Sequence, residues 1–245
     1  MSREWDAVTY DRVADPQARW GAGVIGRLDP AACRVLDAGC GSGRVTEQLL
    51  DRLPEAHVVA LDASAQMLDA ACRRLARYGR RVSYVNADLR EPLPLHEPVD
   101  AIVSTATFHW VPDHPALFRR LAAVLVPGGQ LIAQYGGAGN IASVARALAV
   151  IGDPLPGRWT YPEPGSERRC LLDAGFVDVR VWLQPEPTAF EAGEPFETFL
   201  ATVVLREHVA LLPEEERSDF VRSVAALLPG PSLDYVRLNV AARLR

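Results

Sequence analysis

The stretch Val35-Leu36-Asp37-Ala38-Gly39-Cys40-Gly41-Ser42-Gly43 constrains this chain more than any other. An apolar run that meets three alternating glycines reads as a strand that must turn at once into a helix beneath a ligand. Glycine supplies the positive φ of such a turn and lets the backbone approach the ligand closely. The spacing is GxGxG. A dinucleotide fingerprint would want its third glycine where Arg44 stands, and a phosphate loop would want Gly-Lys followed by Ser or Thr. Neither pattern fits. What distinguishes this loop is the acid just before it, Asp37.

Around that turn the first 135 residues alternate short apolar runs with helical patterns, as βαβ units do. Strands are expected at 33–38, 57–61, 82–85, 101–104 and 130–135. Helices are expected at 44–53, through Met67, Leu68, Ala71 and Leu75, and from Asp113 to a stop at Pro127-Gly128-Gly129. Strands this apolar are buried on both faces, which implies a parallel sheet covered by helices. Residues 136–168 are rich in Gly and Pro and read as an insertion over the sheet edge. A helix at 167–173 and a strand at 176–183 follow. Phe196, Phe199, Leu200, Val203 and Val204 repeat at helical spacing, and a further helix spans 214–228. Residues 234–244 alternate like a closing strand. There Tyr235, Arg237 and Asn239 share the face opposite Val236, Leu238 and Val240, and the expectation is a solvated face, as for Arg206 on its helix.

At 245 residues the chain suits a single α/β domain: a lid helix over 1–28, a core over 30–135, the insertion over 136–168, and substrate-side helices with closing strands over 169–245. Lys plus Arg total 26 against 31 for Asp plus Glu, and a net charge of −5 disfavours a nucleic-acid backbone as the main partner. The four cysteines form no CxxC pair, so no metal site is expected, and they are read as reduced, mostly buried small hydrophobes. No charged-then-apolar leader and no run of about 18 apolar residues occurs. The expectation is a cytoplasmic protein without a membrane partner, a monomer or a homodimer.

Two more acids extend the glycine loop into a constellation. Asp62 ends the second strand, 23 residues past Gly39, where doubly wound folds place an acid that accepts both ribose hydroxyls. Asp88 ends the third in Asn86-Ala87-Asp88-Leu89, where it can accept an exocyclic amine. DAGCGSG, LDAS, NADL, the strand DAIVSTATFHW and the PGG turn, over about residues 30–135, together resemble the class I S-adenosylmethionine-dependent methyltransferases. The resemblance implies a Rossmann-like, seven-stranded, mostly parallel α/β sheet with helices on both faces and a helical lid or insertion. It implies S-adenosyl-L-methionine as cofactor. The loop Gly39, Cys40, Gly41 and Gly43 would pass the methionine part, Asp62 would hold ribose, Ala63 and Met67 would pack on adenine, and Asp88 with Leu89 would read its edge. Thr105, ending the fourth strand, and Tyr10, on the lid, join this cofactor set.

The segment Ser104-Thr105-Ala106-Thr107-Phe108-His109-Trp110 should face the transferred methyl, because ligands lie beyond the carboxyl ends of the strands. Trp110-Val111-Pro112-Asp113 and the opening Trp5-Asp6-x-x-x-Tyr10-Asp11 with Gln17 and Trp20 resemble the small-carboxylate methyltransferases, the trans-aconitate group among them. That resemblance implies that Gln17 and Trp110 grip a substrate carboxylate. Tyr10 and Arg206 are further substrate-side candidates. The stretch TVVLREH (202–208) departs from the group's pattern, which leaves the particular acid open. A carboxylate is already ionised at neutral pH and needs no base. A hydroxyl acceptor would need one, and His109 is the candidate, for that or for positioning. O-methylation of a carboxylate by a small-molecule methyltransferase is the expected function. O- or C-methylation of a secondary metabolite, and a non-catalytic cofactor-binding protein, are the alternatives.

Overall fold

The computed structural model describes residues 15–152, 155 and 159–245, with side chains from residue 20 onward. Along the chain run α1 (Asp15–Ile25), β1 (Arg34–Ala38), α2 (Arg44–Arg52), β2 (His57–Asp62), α3 (Ala65–Leu75), β3 (Val82–Asn86), β4 (Val99–Thr105), α4 (His114–Ala122), β5 (Leu125–Gly136), α5 (Ala142–Ile151), α6 (Pro164–Asp173) and β6 (Phe176–Pro185). They are followed by the short β7 (Thr188–Ala189), α7 (Glu194–Phe199), a π-helical turn (Leu200–Val204), α8 (Arg206–Leu211), α9 (Glu214–Leu227), the short β8 (Ser232–Leu233) and β9 (Val236–Leu244).

Seven strands form one sheet in the order β3-β2-β1-β4-β5-β9-β6. The first five pair in parallel, and β9 runs antiparallel between β5 and β6. The Rossmann-like reading holds. The strand order reverses between β1 and β4, and that switch point opens a crevice beyond the carboxyl ends of the strands. Val35, Leu36, Val58, Ala60, Ile102 and Val103 are fully buried from both sides, which is why these strands read as unbroken apolar runs. On one face Leu117, Phe118 and Leu121 of α4 and Leu171 of α6 pack against the sheet. On the other lie Val24 and Ile25 of α1, Leu49 and Leu50 of α2, and Leu68 and Leu75 of α3. A third cluster, with Leu148 of α5, Phe199 of α7 and Val224 of α9 around Trp20 and Tyr235, forms a helical cap.

Four expectations are corrected. The helix begun at Asp113 ends at Ala122, and Pro127-Gly128-Gly129 lies inside β5. There the pairing shifts from Val99↔Leu125 to Ala101↔Gln130, so the PGG residues form a bulge and not a helix stop. Arg237 and Asn239 are buried, at 2% and 0% exposure, so the second face of β9 is covered. The apolar alternation tells one face of a strand from the other. It does not tell whether later elements cover the polar one. Only Cys40 among the cysteines is buried; Cys33 and Cys72 are exposed. Helix α1 ends at Ile25, so Leu28 reaches the core from the turn beyond it.

Candidate active site

A cavity of about 380 Å³ opens at the switch point. The glycine loop forms its floor, and each glycine is required for a different reason. At Gly39 (φ +83) a Cβ would stand 2.3 Å from the side chain of Thr107, so the loop is pressed against the segment after β4. At Gly43, which caps α2 in the left-handed region, a Cβ would meet Ala71 and Leu75 of α3 at 3.1 Å. At Gly41 (φ +54) a Cβ would meet nothing within 4 Å, because that position borders the cavity. Gly39 and Gly43 serve protein packing, and Gly41 is the one that leaves room for a ligand. The Cys40 side chain packs into the core under the loop and does not line the cavity.

Asp62 stands on the cavity wall with both oxygens held by backbone donors. The Gly41 N–H donates to Oδ2 and the Ser64 N–H to Oδ1, each at 2.9 Å. The cap of α3 is Ser64, whose hydroxyl accepts from the Met67 N–H at 3.2 Å. Asp62 is thus aimed at the cavity and is not the helix cap. Ala63, Met67 and Leu89 supply apolar wall beside it. Asp88 is there too, with Arg90 clasping it: Arg90 Nε donates to both carboxylate oxygens at 3.0 Å, which holds the Asp88 pKa below the ordinary range. Thr105 lines the same cavity, and its hydroxyl is buried without a hydrogen-bond partner among the described residues.

Asp37 lies beneath the loop and is 1% exposed. It accepts a hydrogen bond from the Thr46 hydroxyl at 2.7 Å. Burial raises its pKa to about 7, Thr46 opposing that shift and Asp62 adding to it.

The far side of the cavity comes from the helical cap: Arg206, Glu207 and Leu211 of α8 with its neighbouring turn, and Leu155. Arg206 therefore borders a cavity and does not lie on an open surface. Ala106 sits where β4 ends, with φ +56, a conformation that strains a residue bearing a side chain. It carries the chain into a 3₁₀ turn that presents His109 and Trp110. Ala106 and Trp110 belong both to the large cavity and to a smaller chamber of about 60 Å³ behind it. The chamber is walled by Trp20, His109, Asn140, Trp159, Tyr161, Tyr235 and Arg237. Thr160 N–H donates to the His109 carbonyl at 3.0 Å, so the 136–168 segment is strapped to the segment after β4. The rings of Trp159 and Tyr161 stack there, with centroids 6.0 Å apart.

His109 is buried, and its pKa lies well below the ordinary imidazole value, first through burial and then through the neighbouring Arg237 and His114. The Gly136 N–H approaches its Nδ1 at 3.5 Å, which leaves the ring proton to Nε2. A neutral imidazole that donates is the expected form at neutral pH.

The structure thus gathers Gly39, Gly41, Asp62, Ala63, Met67, Asp88, Leu89, Thr105, Trp110 and Arg206 around one cavity and sets His109 in the adjoining chamber. Cys40 and Gly43 stand outside the lining. Tyr10 and the Gln17 side chain, with Trp5, lie outside the described residues. Sequence reasoning missed Arg90, Asn140, Tyr161 and Arg237 as site residues. None belongs to a motif, and the alternation of Arg237 with apolar neighbours is the same whether its face is wet or covered. The loop, the Asp62 carboxylate and the space over Gly41 fit an adenosyl cofactor. No group of His, Cys, Asp and Glu among the described residues could hold a metal ion.

Residues 35–129 match the family described as Methyltransferase domain. A trans-aconitate 2-methyltransferase of Methylobacterium nodulans is 41% identical over 132 residues, 54% of this chain and 49% of that protein, so the match spans about half of the relative. One of Mycolicibacterium gilvum is 30% identical over 237 residues, 91% of this chain and 89% of that protein. Haemonchus contortus phosphoethanolamine N-methyltransferase 2, solved with S-adenosyl-L-methionine, shares the fold with a TM-score of 0.65. Its identity is 19%, over 98% of this chain and 57% of that one.

Proposed function

The chain belongs to the class I S-adenosylmethionine-dependent methyltransferases, close to the trans-aconitate 2-methyltransferase group, and from that premise we propose that it methylates a carboxylate oxygen of a small organic acid. S-Adenosyl-L-methionine supplies an electrophilic methyl carbon when bound. Asp62 would hold the ribose, Gly41 would leave room for the methionine part, and Ala63, Met67, Asp88 and Leu89 would receive adenine, with Tyr10 as a further candidate in the cofactor set. Trp110 and Gln17 orient the acceptor. In-line displacement at carbon asks the protein for positioning and exclusion of water, and the aromatic wall of Trp110, Trp159 and Tyr161 suits both tasks.

The observation that carries the carboxylate reading is the character of the chamber. Its one imidazole, His109, is held neutral by burial and by Arg237, and no acid stands among its described lining residues. Such a chamber favours an acceptor that arrives ionised. His109 then serves to position, donating from Nε2. The relatives named for trans-aconitate support the same class. We read residues 1–245 as one domain, working in the cytoplasm as a monomer or homodimer on small molecules and not on nucleic acid, in keeping with the net charge of −5. No helix among the described residues is long and apolar enough to cross a membrane.

The test is a methyl-transfer screen across di- and tricarboxylates, phenols and amines, read by product mass. A methyl ester is expected, with a rate nearly flat from about pH 6 to 9, well above a carboxylate pKa near 4. His109→Ala lowers the rate and leaves the profile flat. Products only from phenols or amines, or a rising limb abolished by that substitution, would overturn the carboxylate reading.

A further inference from the structure

Beneath the turn that presents His109 and Trp110, a polar network is sealed in the apolar core. His114 opens α4, Tyr135 stands on β5 and Glu167 lies in the first turn of α6, all of them buried. His114 Nδ1 lies 2.6 Å from Glu167 Oε1, and the Tyr135 hydroxyl donates to the same oxygen. On its other side the His114 ring reaches the turn itself. Its Nε2 lies 3.0 Å from the carbonyl oxygen of Phe108, the residue before His109. That carbonyl also accepts from the Val111 N–H at 2.9 Å. Apolar Phe118 and Leu171 belong to the same core, and the rings of Phe108 and Tyr135 lie 5.3 Å apart in it.

The partners dictate where the protons sit. A carbonyl oxygen only accepts, so His114 carries a proton on Nε2. Its Nδ1 then meets Glu167 across one further proton, which belongs either to the ring or to the carboxyl. In both forms the imidazole is bonded at both nitrogens, and its ring plane is fixed. Such a network is costly in an apolar core, where apolar side chains of similar shape serve stability as well or better. What it adds is direction, because its far end is one particular carbonyl of the turn. The chain leading into α6 grips the next carbonyl as well, since the Thr160 N–H donates to that of His109 at 3.0 Å. None of the three network residues lines the cavity or the chamber, so they reach the site only through the turn.

We propose that His114, Glu167 and Tyr135 are positioning residues that fix the turn over 108–110, and with it His109 and Trp110, for methyl transfer. This rests on the reading that the turn faces the acceptor, and not on which acceptor is methylated.

The variants are Glu167→Leu, Glu167→Gln and the triple His114→Leu/Tyr135→Phe/Glu167→Leu, which makes the whole network apolar. Thermal melts report folding, and calorimetry with S-adenosylhomocysteine reports the cofactor site. Amide exchange at Trp110, Val111 and Thr160 reports the turn, and transfer is measured on trans-aconitate. Glu167→Leu is expected to lower kcat on the order of 100-fold, the size of a misplacement of about 1 Å. It should speed exchange at those three amides and leave both exchange over 39–43 and S-adenosylhomocysteine affinity as in wild type. Glu167→Gln recovers part of the rate, because its amide nitrogen can donate to Nδ1 and leave the Nε2 proton for Phe108. The triple variant should melt close to wild type and still lack the rate. A triple variant with the wild-type rate, or a folded Glu167→Leu whose turn amides exchange as in wild type, overturns the proposal. So does a triple variant that no longer folds, since the network would then serve stability alone. Should wild type transfer to phenols or amines instead, the carboxylate reading fails, kcat is taken on that acceptor, and the same outcomes decide the positioning role.

Discussion

Two acids at the glycine loop are placed differently by the fold: one lines the cavity and the other is sealed beneath the loop. Asp62 faces the cavity with backbone N–H groups on both oxygens. Asp37, sealed under the loop, has its pKa raised by burial to about 7. In the unfolded chain Asp37 ionises near the ordinary value of about 3.9. Between the two values the folded state binds more protons, so its contribution to stability falls as pH rises from about 4 to about 7 and stays low above. Asp37→Asn keeps an acceptor for Thr46 and removes the charge. The variant should therefore gain on wild type across that window, by up to roughly 4 kcal/mol for a shift of three units. Thermal unfolding of both proteins at pH 5 and pH 8 checks this. A Tm difference that does not change with pH would mean that Asp37 ionises normally in the fold.

At the scale of the element, the β1–α2 turn separates the roles of its glycines. Gly39→Ala drives a methyl into Thr107 and imposes a left-handed conformation, which together should cost about 3 kcal/mol. Gly41→Ala meets no protein atom but places its methyl on the cavity floor. It should lose about 1–2 kcal/mol of stability from its φ, with a larger loss in cofactor affinity. Calorimetry with S-adenosylhomocysteine beside thermal melts should separate the pair: stability lost chiefly at 39, binding chiefly at 41. The reverse assignment would place the ligand elsewhere.

Across the whole molecule, the cavity is built by two layers that share little sequence. Its floor comes from the sheet and its far wall from Arg206, Glu207 and Leu211 of the cap, reached through a π-helical turn, a feature often found at functional sites. A ligand that fills the cavity ties the layers together. Cofactor at 100 times its Kd should add about 2.7 kcal/mol of stability. It should also slow amide exchange in 206–211 as well as in 39–43. Protection confined to the loop would show that the cap takes no part in binding.

What this sequence determined by itself was the cofactor half. The strand–glycine–helix turn, the acids at 62 and 88 and the apolar runs of buried strands are local patterns, because a tight turn and a strand buried on both faces each restrict the residues next to them in the chain. The PGG residues were misread for the same reason: a helix stop and a bulge both use Gly and Pro, and only pairing with β4 tells them apart. The chamber behind Trp110 was decided by tertiary structure. Arg237 on β9, Tyr161 in the insertion, His109 after β4 and Trp20 on α1 come together across more than 200 residues. No spacing records that meeting. Whether a polar residue on an alternating strand faces water or a sealed chamber depends on which helices pack over it, and that is a property of the assembled fold.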